Sequence, residues 1–184
     1  MKDINQLKNK ADWLVQNRNK EMRLNINKEE IDWNKTFEFI ILRQDETTME
    51  TTTKIRRINK QSNQGNINKC IRCKVKNENW NHVWECEQHK TTLYDIVQDN
   101  IKRFIENLKL KNIKVNEEKW SKRIIRILLE KSTIKENQLI IHECIKGIFN
   151  KSLLDIDNNK EIRQEMVILI KGIALALKEK IWKD

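Results

Sequence analysis

No proline occurs in this 184-residue sequence, and glycine occurs three times. An architecture of many short strands needs turn residues at short intervals, so the shortage argues against a β-sandwich. It argues equally against a collagen-like repeat and a glycine-rich phosphate loop. Long apolar runs are missing as well. No window approaches the roughly 18 to 20 apolar residues of a membrane span, and the opening MKDINQLKNKADWL has no signal-peptide pattern. We therefore expect an intracellular chain with no membrane partner. In a reducing compartment, four cysteines are better read as metal ligands than as disulfides where they cluster.

What is present is charge and helical periodicity. Lys and Arg number 37 against 27 Asp and Glu, a net +10, and charged residues make up 35% of the chain. Abundant isoleucine and six tryptophans argue against disorder. The length suits one ordinary domain or two small ones. A strongly basic balance points to polyanionic partners, and the excess is unevenly spread. Between Thr51 and Asn77 lie Lys54, Arg56, Arg57, Lys60, Lys69, Arg72, Lys74 and Lys76, with no Asp or Glu. The rest of the chain is nearly balanced. Phosphate binding draws its affinity from this kind of concentrated charge.

Apolar residues recur at helical spacing through most of the sequence. Ile4, Leu7, Ala11 and Leu14 form one stripe, and Trp33, Phe37, Ile40 and Ile41 another behind the acidic start Glu29, Glu30 and Asp32. The stretch Thr47 to Thr53 reads as a loop or a helix start, and KIRRINK (residues 54–60) as a possible short helix. Beyond residue 92 the signal strengthens. Leu93, Ile96, Val97, Ile101, Phe104, Ile105 and Leu108 make one face, opened by a capped start at Thr91 or Thr92 with Asp95. Further stripes run through Trp120, Ile124, Ile127 and Leu128, and then Ile141, Cys144, Ile145, Ile148 and Phe149. The last runs from Met166 and Val167 through Ile170, Ile173, Ala174 and Leu177 to Ile181. The expected fold is mainly α: N-terminal helices and a basic linker (1–62), a small metal knuckle (63–91) and a C-terminal helical bundle (92–184).

One constellation carries chemistry. Cys70, Cys73 and Cys86 lie close together with His82 and His89 beside them. Zinc takes four tetrahedral nitrogen or sulfur ligands, and a Cys-x2-Cys pair supplies two from one tight turn. His82 and Cys86 are four apart, so on a helix they leave the same face; Cys86 and His89, three apart, can do the same. Spacing thus allows two sets: Cys70, Cys73, His82 and Cys86, or Cys70, Cys73, Cys86 and His89. Either is closed to water, which marks a structural zinc. Trp80 and Trp84 beside it read chiefly as a cap on its small core, with base stacking as the alternative. Cys144 and His142 are two apart and form no ligand pair, so Cys144 reads as a small buried hydrophobe. Trp13, Trp33, Trp120 and Trp182 read as packing.

The run Cys70-x2-Cys73-x4-Glu78-x3-His82-x3-Cys86, with the wording W-N-H-V-W-E-C, resembles a specific family segment. This is the CCHC-type zinc knuckle downstream of the reverse transcriptase and ribonuclease H regions in non-LTR retrotransposon polyproteins, in a form expanded in some fungi. The flanking I-D-W-x-K-T-F (Ile31 to Phe37) and the ending I-W-K (Ile181 to Lys183) are similar to that tail. The resemblance implies Cys70, Cys73, His82 and Cys86 as the ligands, with His89 a neighbour. The basic stretch beside a metal-ordered turn points to RNA or single-stranded DNA as the partner. The catalytic regions of such polyproteins are absent. No strand-borne carboxylate cluster, Ser-His-Asp set or glycine-rich loop is visible, so no catalysis is expected within the chain. The alternative expectation is a zinc-stabilised module that docks protein through its amphipathic helices, or a decayed element fragment.

Overall fold

The computed structural model describes residues 69–77, 80–132, 134 and 138–182, together with 8, 11–12, 14–15, 20–24, 26–27 and 29–42. The fold is mainly α. The described elements are α1 (Lys20–Leu24), α2 (Trp33–Leu42), α3 (Trp80–Glu85), α4 (Leu93–Leu110), α5 (Glu117–Leu128), α6 (Ile140–Ile145), α7 (Lys151–Leu154) and α8 (Lys160–Leu177). A π-helical turn, Lys178–Trp182, continues α8. Among the described residues β structure is limited to isolated antiparallel bridges, Ile31 with Asn150, Lys69 with Asn77 and Lys131 with Leu139. The Thr-rich stretch, the KIRRINK segment and most of the first apolar stripe lie outside the described residues.

The frame is the pair α4 and α8, 18 residues each. Helix α4 starts where its cap is strongest: the Thr92 hydroxyl accepts from the Asp95 N–H at 3.1 Å while the Asp95 carboxylate accepts from the Thr92 N–H at 3.0 Å. Those bonds hold the Asp95 carboxyl below the usual carboxylate pKa. Its apolar stripe is buried as the periodicity predicts, with Ile96, Ile101, Phe104 and Leu108 sharing one core with Met166, Ile170, Ile173 and Leu177 of α8. Burying each such side chain is worth about 1.5–3 kcal/mol. The helices approach closely because position 172 is glycine: a Cβ there would collide with the Asn100 side-chain oxygen. Asn100 is itself buried and donates to the Ile96 carbonyl at 2.7 Å.

The stripe from Ile141 to Phe149 is broken after one and a half turns. Helix α6 ends at Ile145, and Gly147 takes φ +76°. The Ile148 N–H then donates to the Glu143 carbonyl at 3.0 Å and the Gly147 N–H to Cys144 at 2.9 Å, a Schellman closure. The break redirects Ile148 into a second, smaller cluster with Ile31, Phe37 and Ile134.

Helix α2 is buried on two faces. Phe37 enters the smaller cluster, while Phe39 packs edge-on against Phe149, ring centroids 5.8 Å apart, in the main core. Thr36 joins the two. Its hydroxyl donates to the Asp32 carbonyl at 2.8 Å and accepts from the Phe149 N–H at 3.0 Å, with the residue fully buried. Replacing Thr36 with Val should cost about 1–3 kcal/mol, because the Phe149 N–H then stays buried without an acceptor. Thr36→Ser should lose much less, and denaturant melts of the two variants make the comparison.

Candidate metal centre

The chain between Lys69 and Asn77 folds into a tight turn. Their backbone bridge closes it, the Cys70 N–H donates to the Lys76 carbonyl and the Lys74 N–H to the Cys70 carbonyl, both at 2.8 Å. Lys74 takes φ 57°, a left-handed position that a non-glycine residue adopts only where surrounding bonds hold it. The turn presents Cys70 and Cys73 toward α3. There His82 and, just past the helix end, Cys86 leave one face, as their spacing requires.

The ligand atoms of Cys70, Cys73, His82 and Cys86 all lie within 4.8 Å of one another. Two of the separations test whether an ion fits. A tetrahedral zinc with bonds of about 2.3 Å to sulfur and 2.0–2.1 Å to nitrogen sets ligand edges of about 3.8 Å for S···S and 3.5 Å for S···N. The Cys70 and Cys86 sulfurs are 3.7 Å apart, and Cys73 Sγ is 3.3 Å from His82 Nε2. The four residues can therefore hold a metal ion. Among the described residues no second group of His, Cys, Asp or Glu side chains converges in this way.

The thiols differ in environment. The Lys76 and Val75 N–H groups hold Cys73 down to about 6, whereas burial pushes Cys86 above its ordinary value. A cation among these sulfurs would offset that burial by favouring the thiolate.

His89 stands outside the group. It is buried, its Nε2 lies 2.6 Å from the Val83 carbonyl, and its Nδ1 has no hydrogen-bond partner. Of the two ligand sets that spacing allows, the structure assembles the one with His82. Trp84 is buried with Val83 in the main core, so the segment carrying two ligands is also a packing element of the bundle. The indole of Trp80 lies outside the described residues. Cys144 is fully buried and its thiol is pushed up by burial. His142, which burial holds below its usual range, accepts from the Leu139 N–H at 3.0 Å and caps α6.

The basic residues divide. Lys69, Lys74 and Lys76 are exposed around the metal turn. Arg72 turns inward instead and donates to the Ile181 carbonyl at 2.9 Å, tying the turn to the end of the last helix. Nothing local in the sequence signals that bond, since its partner is 109 positions away. Lys54, Arg56, Arg57 and Lys60 lie outside the described residues.

No protein-family model, curated protein or solved structure matches the chain. Among the described residues no helix is long and apolar enough to cross a membrane.

Proposed function

We propose that the chain is a zinc-stabilised nucleic-acid-binding accessory module, similar to the tail of a retroelement polyprotein and without catalysis of its own. Zinc is the metal of choice for three thiolates and one imidazole in a closed tetrahedron. Its role here is structural: it fixes the turn and α3 relative to each other. One observation carries the reading. Two of the four ligands, Cys70 and Cys73, lie at the end of the acid-free basic stretch, so a metal held there orders a backbone whose Lys69, Lys74 and Lys76 face solvent. Three thiolates and one zinc leave the centre at about −1, too little to cancel that charge.

The partner in this proposal is RNA or single-stranded DNA, gripped through its phosphates. In a salt titration with a single-stranded oligonucleotide, replacing Lys54, Arg56, Arg57, Lys60, Lys74 and Lys76 with glutamine should lower the slope of log affinity against log salt by about 4. Absence of binding by the folded, zinc-loaded chain even at low salt would reject the proposal. It would favour a zinc-stabilised module that docks protein.

A further inference from the structure

Helix α5 carries a second concentration of positive charge that a linear count conceals. Its acids, Glu117 and Glu118, are confined to the first turn, and every charged residue after them is basic: Lys119, Lys122, Arg123 and Arg126. These fall at spacings of three, four and seven, so they share one face, opposite the buried Ile124, Ile127 and Leu128. All four are exposed. Glu118 pairs with Lys122, while no ion pair among the described residues holds the side chains of Lys119, Arg123 or Arg126. The other long helices differ, because α4 and α8 intersperse acids with their bases.

The face is also shaped. A surface concavity of about 640 Å³ runs along it, lined by Lys119, Lys122, Arg123 and Arg126 with Asn116 and Glu118 at one end. A smaller one of about 260 Å³ adjoins it, shares Lys119 and Arg123, and reaches the half-buried Trp120 and Asp157. Lys119 and Arg126 are seven residues apart, about 10 Å along the helix axis. At about 3.4 Å per nucleotide along the axis, the rise of a stacked strand, that span covers about three intervals, so four successive phosphates come within reach of the three cations. Two of the three available cations are arginines, whose planar fork suits phosphate oxygens.

We propose that the solvent face of α5 is a second phosphate-binding track, in which Lys119, Arg123 and Arg126 grip the backbone of a single strand. The inference rests on the nucleic-acid reading above and extends its footprint to a surface outside the acid-free stretch. The partner is selected by charge complementarity, so the track adds affinity and salt sensitivity without base preference.

The test compares three full-length, zinc-loaded proteins in salt titrations with one single-stranded oligonucleotide. They are the wild type, the glutamine variant of the basic stretch, and K119Q/R123Q/R126Q. Three phosphate contacts are expected to lower the slope by about 2 in the α5 variant, so that its affinity weakens about 16-fold less than wild type between 50 and 200 mM salt. A K119R/R123K/R126K variant, which keeps the charge, should restore the wild-type slope. Unchanged thermal melts confirm that exposed substitutions leave the fold intact. A wild-type slope in K119Q/R123Q/R126Q, with binding lost only in the other variant, overturns this inference and leaves the proposed function standing. Failure of the wild type to bind the oligonucleotide at low salt overturns both. Binding to phosphatidylserine vesicles in place of the oligonucleotide would also overturn it.

Discussion

Chelating the metal from the purified chain is expected to lower its melting temperature by about 10 °C or more and to remove part of its helical circular dichroism. Structural zinc in small finger peptides contributes about 10–16 kcal/mol of binding free energy, which is folding free energy where no site pre-exists. Helix α3 has six residues and is too short to persist alone. Val83 and Trp84 pack in the main core, and without the ion they are expected to leave it. Losing two such side chains costs about 3–6 kcal/mol, and at this chain length each kcal/mol moves the midpoint by about 2–4 °C. Cys70→Ser and Cys86→Ser should behave like the chelated protein, and elemental analysis should find their zinc missing. His89→Ala should keep one zinc per chain, because the His89 ring faces the Val83 carbonyl. Identical melts with and without chelator, in protein that carries zinc beforehand, would refute the site.

A comparable loss is expected from a single methyl group at Gly147. The left-handed φ of +76° costs a non-glycine residue about 1–2 kcal/mol. The added Cβ would also stand 2.6 Å from the Phe39 ring, which is held against Phe149 and cannot retreat freely. Overpacking of that kind adds about 1–3 kcal/mol, so Gly147→Ala should destabilise by about 2–5 kcal/mol. In a Phe39→Leu background the steric part should shrink and leave mainly the backbone cost. Urea melts of the four proteins give the coupling. A change below about 1 kcal/mol for Gly147→Ala alone would contradict this seating of Phe39.

The ligand spacing was legible because metal chemistry is local: two thiols from one turn and two donors from one helix face need only about twenty residues. The α4 stripe and the Thr92–Asp95 cap were legible for the same reason. Long-range partners were not. Phe39 lies off the apolar stripe of α2 and Thr36 is a polar residue at its edge; both meet Phe149, which the Ile31–Asn150 bridge brings alongside. The stripe from Ile141 to Phe149 read as one helix because its periodicity survives the Schellman turn, although Gly147 was the available signal. Arg72 counted as a surface cation until the Ile181 carbonyl claimed it. The α5 track escaped because Glu117 and Glu118 offset it in a running sum, whereas on the folded helix they sit at one end.

The Arg72 bond to Ile181 also sets an order of events during synthesis. The ligand residues are close in sequence, so the metal turn can close as soon as Cys86 has left the ribosome. Its anchor at Ile181 arrives roughly 5 to 20 s later at ordinary elongation rates. Until α8 and the Lys178–Trp182 turn follow, the core that Val83 and Trp84 enter is incomplete. On the zinc-stabilised reading proposed above, metal supply bears on how that interval ends as well as on the stability of the finished protein.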